Sequence, residues 1–195
     1  SSEILLKNGY IKTGFEMFSL PNDIVAKAFK EEKAVYNSLG AQKGEANNFI
    51  SVGSSAHGVF GDYYFQNFYE RNLYTETVLS KNFPIYRGYK MTKDDHIRKY
   101  IIRNIRTYFK LDFKKVSKDF NIDFKEYFLK ELDVLDELVK DGLLLVHEDY
   151  LELTDIGHHL SPHVCEVFDK FSKRPLYDTQ IKVEPQNMSQ ISAMR

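Results

Sequence analysis

One stretch of the sequence, Thr92 to Phe171, follows an order of helix and strand signals that restricts the possible folds. Thr92 is a residue type that caps helices. The apolar residues that follow recur at helical spacing, which places them on one face of a first helix. They are Ile97, Ile101, Ile105 and Tyr108.

Two aspartates mark where the next helices of this stretch begin. Asp112 is predicted to cap a short second helix, and Asp123 a longer third helix with Glu126 placed as in a capping box. The third helix is predicted to end at Asp141-Gly142, since glycine readily adopts the left-handed conformation found after helices. Its acidic residues are predicted to face outward: Glu131, Asp133, Asp136 and Glu137.

A small hairpin and further helix starts complete the stretch. Residues 143–147 and 150–153 are predicted to pair as two strands. Thr154 and Ser161-Pro162 are helix-start signals. The order helix, short helix, helix, hairpin, helix is typical of a winged-helix-like domain, which we predict at residues 91–171.

The first 90 residues are predicted to mix strands and helices, giving an α+β chain. The predicted elements are a strand at 9–18, a helix within 24–36, a loop at 39–48, strands at 49–52 and 59–64, and a helix at 67–81. The last helix is predicted to bury Tyr69, Leu73 and Val78. Residues 172–195 lack periodicity and are predicted to form an extended or disordered tail.

Composition excludes several classes of protein. The 195 residues carry a net charge of −1, which is unlike a non-specific nucleic-acid binder. One cysteine excludes an internal disulfide framework and an all-cysteine metal site within this chain. No apolar run approaches the roughly 18 residues of a membrane span. We therefore expect a cytoplasmic protein without a membrane partner.

The candidate ligand site is the small-residue turn, residues 53–58, after the predicted strand at 49–52. Small residues let a ligand approach the backbone, and backbone amides can meet a phosphate or nucleotide. The turn is neither a P-loop nor a dinucleotide fingerprint. The structural alternative is a tight turn that simply requires small residues.

Two other features of the sequence are candidate sites, a histidine pair and the cysteine. His159 and His163 are four residues apart and would share a helix face only if the helix continued through Pro162. The alternative is exposed polar surface, and no metal site is predicted. Cys165 lies on an apolar face and is expected to be buried.

The sequence resembles the C-terminal part of oxygen-independent coproporphyrinogen III oxidase, a family of radical S-adenosylmethionine enzymes of heme biosynthesis. The similar segments are residues 92–98, 108–113, 122–128, 138–143, 153–154 and 167–171, with Gly157 and Leu160. Upstream, residues 49–58 and 61–63 are similar to the segment that closes the family's catalytic barrel. The likeness covers most of residues 9–171.

The resemblance implies an architecture and a set of cofactors. Residues 1–90 would be the last βα elements of the radical enzyme's barrel, and 91–171 a cover for its active-site mouth. The parent family uses S-adenosylmethionine and a four-iron four-sulfur cluster to decarboxylate propionates to vinyls. Gly53, Ser55, Ala56 and His57 would be the cofactor-binding residues, and the partners would be a tetrapyrrole substrate and the rest of the barrel.

Departures from the family pattern limit what this chain is expected to do alone. The family's Cys-x3-Cys-x2-Cys motif is absent, so the isolated chain is predicted to be inactive. His57 replaces an aliphatic residue, Ser38-Leu39 stand where the family has Phe-Gln, and Pro162-His163 replace an Arg-Asn pair. Two alternatives remain open: a stand-alone tetrapyrrole- or heme-binding, chaperone-like protein, and a winged-helix nucleic-acid binder.

Overall fold

The computed structural model describes residues 2–37, 40–44 and 48–172 and shows a mixture of helices and short strands. The helices are α1 Ser2–Lys7, α2 Ile24–Lys30, α3 Arg71–Leu79, α4 Lys93–Tyr108, α5 Phe113–Phe120, α6 Phe124–Tyr127, α7 Leu129–Lys140, α8 Asp155–His159 and α9 Ser161–Phe168. The strands are β1 Ile11–Lys12, β2 Phe18–Ser19, β3 Ala34–Asn37, β4 Gly40–Lys43, β5 His57–Phe60, β6 Tyr63–Asn67, β7 Ile85–Lys90, β8 Lys110–Asp112, β9 Leu144–Val146 and β10 Tyr150–Leu153. The predicted α+β composition is confirmed. Of the tail predicted at 172–195, only Ser172 lies within the described residues. Ser38 and Leu39 also lie outside them.

The described residues form two compact units. The first unit joins residues 2–44 to residues 93–172, and the second unit is residues 48–92. The sequence division placed residues 1–90 in one region and residues 91–171 in another. Its boundary near residue 90 lies close to the end of the second unit, but the N-terminal elements pack with the helical region instead.

All strand pairs between the named elements are antiparallel. The sheets are β1-β2, β3-β4, β5-β6-β7 and β8-β10-β9. None of these small sheets closes into a barrel within the described ranges. The sequence therefore predicted the mixture of elements correctly, while the barrel origin of residues 1–90 stays a prediction.

Several N-terminal elements differ from the sequence prediction. The single strand predicted at 9–18 is a hairpin, because Gly14 (φ 129°) and Glu16 (φ 56°) turn the backbone between β1 and β2. The region predicted as helix at 24–36 is α2 followed by β3, and part of the predicted loop is β4. The strands β1 to β4 have two to four residues each, which is too short for an alternating apolar pattern to be recognised in the sequence.

The core of the first unit is built on the predicted face of α4. Ile97, Ile101 and Ile105 are fully buried. They share a hydrophobic cluster with four phenylalanines whose rings contact one another in sequence. Phe113 stacks on Phe124 at 4.3 Å, Phe124 contacts Phe128 at 5.0 Å, and Phe128 meets Phe168 edge-on at 5.7 Å.

Three of the predicted helix caps are confirmed, those of α5, α6 and α8. Asp112 accepts a hydrogen bond from the Lys115 amide (2.8 Å), and Asp123 accepts one from the Glu126 amide (3.0 Å). The Thr154 hydroxyl accepts from the Gly157 amide (3.1 Å). Gly142 has φ 70°, the left-handed conformation expected after α7. The hairpin β9-β10 also forms as predicted, and β8 adds a third strand that the sequence reading missed.

The predicted third helix is broken, and one of its acidic residues points inward. Phe128 leaves helical geometry (φ −111°, ψ 27°) and separates α6 from α7. Glu131 was predicted to face outward, but its side chain is 13% exposed and its Oε1 accepts from Arg98 Nη1 at 3.0 Å. The outward prediction was wrong because an arginine 33 positions earlier in the chain is packed against this face.

Tyr108 connects β3 to the end of α4. Its hydroxyl accepts a hydrogen bond from the Ala34 amide and donates one to the Ala34 carbonyl, both at 2.9 Å. Burial raises the pKa of this hydroxyl, which keeps it protonated and able to donate. The ring stacks on Phe29 at 5.3 Å.

Replacing Tyr108 by Phe keeps the ring and removes only the hydroxyl. We expect the free energy of unfolding to fall by about 1–3 kcal/mol, since a largely buried amide and carbonyl lose their partner. Urea unfolding followed by circular dichroism measures this loss. Tyr127→Phe is the matched control, because the Tyr127 hydroxyl donates to Asp94 at the exposed surface (3.1 Å). An equal, small effect of both variants would contradict the assigned role of Tyr108.

Candidate functional site

The small-residue turn in the second unit is held by side chains from outside it. The Gly53 amide donates to the Tyr74 hydroxyl on α3 (2.9 Å). The Asn67 side-chain amide donates to the carbonyls of Gly53 (3.0 Å) and Ser51 (3.3 Å). Asn67 is buried at the end of β6, so it fixes the turn from beneath.

Two residues of the turn have left-handed backbone conformations. Gly53 has φ 119°, which favours glycine, and Ser55 has φ 60°. The predicted strand at 49–52 is reduced to a single bridge between Phe49 and Val59. The turn is therefore more irregular than the sequence suggested.

The backbone amides of the turn are used inside the protein. Besides Gly53, the Ser55 amide donates to the Phe68 carbonyl (2.8 Å) and the Ala56 amide donates to the Gly53 carbonyl (3.4 Å). Each of these three amides therefore has an acceptor within the protein. Contact between the turn's backbone amides and a phosphate or nucleotide stays a prediction.

His57 is the predicted site residue whose functional group is available. It begins β5, and its side chain is exposed. The Ser51 hydroxyl donates to its carbonyl (2.5 Å), and Phe49 lies edge-on to its ring at 6.4 Å. The Ser55 side chain is also exposed, whereas Gly53 and Ala56 are half-buried. The site residues thus lie together, with the imidazole projecting from the sheet.

Gly58, the last residue of the turn, is small for a packing reason. A Cβ added there would lie 2.4 Å from Phe65 Cζ and 2.7 Å from the Phe49 carbonyl oxygen. The atoms that require a glycine here belong to Phe65 and Phe49 of this chain and not to a ligand. The structural alternative considered for the turn therefore holds at this position.

Gln66 and Arg87 lie beside the predicted site and were missed by the sequence reading. In the sheet register His57 pairs with Gln66, and Gln66 pairs with Arg87. Arg87 Nε donates to Gln66 Oε1 (2.9 Å), and Gln66 Nε2 donates to the Ser55 carbonyl (3.0 Å). Only the three-strand pairing brings these residues together. The sequence signal for it is the segment 84–90, whose pattern fits either a linker or an edge strand and which contains β7.

Helix α3 packs differently from the prediction. Tyr69, Leu73 and Val78 were predicted to be buried, but their exposed fractions are 63%, 39% and 44%. Tyr74 faces the turn instead, because its hydroxyl bonds to Gly53. The predicted apolar stripe was therefore assigned to the wrong side of the helix.

The histidine cluster near residue 160 does not present a shared helix face. His159 ends α8 and His163 lies in α9, and Leu160 breaks the helix between them (φ −107°, ψ 16°). Within the described ranges, no group of three His, Cys, Asp or Glu side chains is arranged to hold a metal ion. His158, in contrast, stacks on the Phe109 ring at 4.0 Å.

The half-buried position of His158 predicts a specific pH dependence of stability. Burial, and secondarily the nearby Lys12, lowers the pKa of His158 below its ordinary value near 6.5. The neutral ring is thus favoured in the folded state, and this contribution is lost as the pH falls below 6.5. We expect His158→Phe, which keeps a ring against Phe109, to lose less stability than wild type between pH 7 and 5 in urea unfolding. Identical pH profiles would contradict this role.

Cys165 is buried, as predicted. Its exposed fraction is 6%, and burial raises the pKa of the thiol to about 12. A buried thiol that stays protonated is unreactive, because the thiolate is the nucleophilic form. This cysteine therefore acts as a small apolar core residue.

None of the helices that the structure describes is long and apolar enough to cross a lipid bilayer.

Known proteins similar to this chain share both its sequence and its fold. Residues 91–158 match the protein family described as HemN C-terminal domain. The chain is 32% identical over 170 residues to the oxygen-independent coproporphyrinogen III oxidase of Salmonella typhimurium, an alignment that covers 87% of this chain and 37% of that protein. The Synechocystis protein of the same name is 30% identical over 185 residues, covering 91% and 40%.

A solved structure gives the same result. Its description reads "Coproporphyrinogen III oxidase (HemN) from Escherichia coli is a Radical SAM enzyme", and it matches with a TM-score of 0.81 at 31% identity. The match covers 87% of this chain and 39% of that one. The family resemblance predicted from the sequence is thus confirmed, and the chain spans about two fifths or less of the length of these relatives.

Proposed function

We propose that this chain, which matches the C-terminal part of the oxygen-independent coproporphyrinogen III oxidase family, acts as the C-terminal portion of such an enzyme. The whole enzyme would convert propionate side chains of a tetrapyrrole to vinyl groups by oxidative decarboxylation in heme biosynthesis. This chain would supply cavity wall and cover. The observation that carries the proposal is the agreement of fold and sequence with the Escherichia coli enzyme over 87% of the chain.

The cluster of such an enzyme would have to come from outside these 195 residues. The chain has one cysteine, and Cys165 is buried with its thiol pKa raised to about 12. These residues do not fit a four-iron four-sulfur cluster, which is held by cysteine thiolates. We therefore derive no chemical step within this chain and expect the isolated chain to be inactive.

S-adenosylmethionine remains the cofactor proposed to contact this chain, at Gly53, Ser55, Ala56 and His57. Because the amides of the first three donate internally, contact would be made by the exposed Ser55 hydroxyl and His57 imidazole. These groups would orient the cofactor and exclude water. In the assembled enzyme the bound cofactor supplies the radical that removes hydrogen from the substrate.

The two regions of the chain would have different origins. Residues 1–90 would be the last elements of the catalytic barrel, and 91–171 the winged-helix-like cover. The order α4, α5, α7 and the β9-β10 hairpin supports the second assignment. Nucleic-acid binding is disfavoured for this cover, because Asp133, Asp136 and Glu137 on α7 are exposed and would repel phosphates.

His57 favours a second candidate function, a stand-alone heme- or tetrapyrrole-binding protein. An exposed imidazole at the start of β5 is a possible axial ligand for heme iron. An absorbance titration of this chain with heme tests the candidate, and His57→Ala should abolish any spectral change. If heme causes no change in the wild-type spectrum, stand-alone heme binding is excluded.

The proposed function is tested first by the native gene product. We expect its intact mass to be more than about twice that of this chain, with a Cys-x3-Cys-x2-Cys motif upstream. In that full-length protein, His57→Ala should weaken S-adenosylmethionine binding in equilibrium dialysis. Unchanged binding would remove His57 from the site, and a native product of this length would contradict the proposed enzymatic role.

A further inference from the structure

A row of polar side chains crosses the three-stranded sheet of the second unit. We call it the polar row, and it consists of His57 on β5, Gln66 on β6 and Arg87 on β7. Residues directly opposite each other in antiparallel strands project from the same face. Neighbouring strands are about 4.8 Å apart, so His57 and Arg87 are anchored roughly 10 Å apart with Gln66 between them.

Gln66 fixes the orientation of Arg87. Both ends of its amide are used: Oε1 accepts from Arg87 Nε (2.9 Å), and Nε2 donates to the Ser55 carbonyl (3.0 Å). The Ser55 carbonyl belongs to the turn that Asn67 and Tyr74 hold in place. A surface arginine is usually free to take many rotamers, whereas this one is connected to the fixed turn by two successive hydrogen bonds.

The remaining donors of Arg87 suit a carboxylate. An arginine has five N–H donors. Among the residues that the structure describes, Arg87 uses its Nε–H toward Gln66, which leaves the four donors of the two terminal nitrogens. These nitrogens form the planar fork that binds a carboxylate with two parallel hydrogen bonds. The Arg87 side chain is exposed, as is that of His57, whose ring can donate a further hydrogen bond.

A second row, of one valine and two tyrosines, lies next to the polar row on the same face. Val59, Tyr64 and Tyr89 pair across the same three strands, two residues further along each of them. Val59 is buried, and the two tyrosines are 36% and 40% exposed. The face therefore combines a positioned cation with ring surface, which suits a ligand that carries a carboxylate on a larger, partly apolar body.

We propose that Arg87, oriented by Gln66, binds a carboxylate group beside His57. The inference rests on the proposed function, which brings two carboxylate-bearing molecules to the enzyme: the propionates of a tetrapyrrole and the amino-acid end of S-adenosylmethionine. Arg87 is the binding residue, and Gln66 is a positioning residue that acts through it.

The test is a binding titration of the 195-residue chain with three probes. They are coproporphyrin III, its tetra-amide, which lacks carboxylates, and S-adenosylmethionine. Porphyrin binding is followed by fluorescence and cofactor binding by equilibrium dialysis. Arg71→Gln is the matched control, because Arg71 is an exposed arginine on α3 of the same unit.

We expect Arg87→Gln to weaken binding of the carboxylate probe about tenfold, the effect of losing one charge-assisted interaction of roughly 1.4 kcal/mol. Binding of the tetra-amide should not change. Arg87→Lys, which keeps the charge but not the fork, should weaken binding less than Arg87→Gln. Gln66→Leu should weaken binding of the carboxylate probe when Arg87 is present. In a double variant with Arg87→Gln, Gln66→Leu should weaken binding no further.

Each outcome decides the inference. A loss for coproporphyrin assigns the carboxylate to the tetrapyrrole, and a loss for S-adenosylmethionine assigns it to the cofactor. If no carboxylate probe binds the wild-type chain, or if Arg87→Gln binds as wild type does, the inference is overturned. The proposed function is tested by a different measurement, the decarboxylation activity of an assembled enzyme. If Arg87 binds a carboxylate but the assembled enzyme does not decarboxylate, only the proposed function is contradicted.

Discussion

Gly157→Ala is expected to cause the largest loss of stability among single substitutions in the helical region. A Cβ at this position would lie 1.8 Å from the Leu143 carbonyl oxygen and 3.2 Å from Leu153 Cβ. The carbonyl has little freedom to move, because it accepts from the Thr154 amide (3.0 Å). We expect a loss of about 3 kcal/mol or more, since either α8 or the hairpin must be displaced.

The matched control for this variant is Gly142→Ala. A Cβ there meets no atom within 4 Å, so only its left-handed conformation (φ 70°) disfavours alanine. That strain costs about 1–2 kcal/mol. Urea unfolding of both variants, followed by circular dichroism, separates the clash from the backbone effect. A smaller loss for Gly157→Ala than for Gly142→Ala would contradict the close packing of α8 against the Leu143 carbonyl.

Arg98→Ala is expected to have the second large effect. Arg98 Nε donates to Asp94 (2.9 Å), and Nη1 donates to Glu131 and to the Phe168 carbonyl (both 3.0 Å). The guanidinium also lies over the Phe128 ring at 5.2 Å. One side chain thereby joins α4, α7 and α9. We expect a loss of about 2–4 kcal/mol, mainly because the Glu131 carboxylate, 13% exposed, loses its partner.

A double variant tests that explanation. Replacing Arg98 by Met and Glu131 by Leu removes both charges, so much of the lost stability should return. Lys115→Ala is the control for an exposed pair, since the Lys115–Asp119 bond at 3.2 Å should contribute under about 1 kcal/mol. If Arg98→Ala matched Lys115→Ala, the ion pairs of Arg98 would not hold the helices together.

Local signals in the sequence were sufficient for much of the helical region. The spacing of Ile97, Ile101 and Ile105 gave the buried face of α4, because a helix repeats every 3.6 residues. Asp112, Asp123 and Thr154 gave helix starts, since a cap depends on residues only two or three positions away. Gly142 gave a helix end for the same reason.

Features that depend on distant residues were missed. Glu131 looked like a surface carboxylate until Arg98 was seen against it. Tyr74 was not expected to hold the turn, because its partner Gly53 is 21 positions away. Likewise, strands of three or four residues such as β4 and β8 exist through their pairing and leave no periodic pattern.

In the candidate site, too, features set by neighbouring residues were predicted and features set by distant residues were missed. The sequence located the turn at residues 53–58, but the use of its amides depends on Phe68 and Tyr74. Arg87 and Gln66 became candidates only through the register of β5, β6 and β7. Chemistry that is assembled across a sheet is therefore visible only after folding.

The most direct test of the proposed function is activity in an assembled enzyme. This chain would replace the corresponding C-terminal segment of the Escherichia coli oxidase, and vinyl formation from coproporphyrinogen III would be measured anaerobically after cluster reconstitution. We expect decarboxylation by the chimera and none by the isolated chain. A chimera that folds, holds its cluster and binds S-adenosylmethionine, yet forms no vinyl product, would contradict the proposed function.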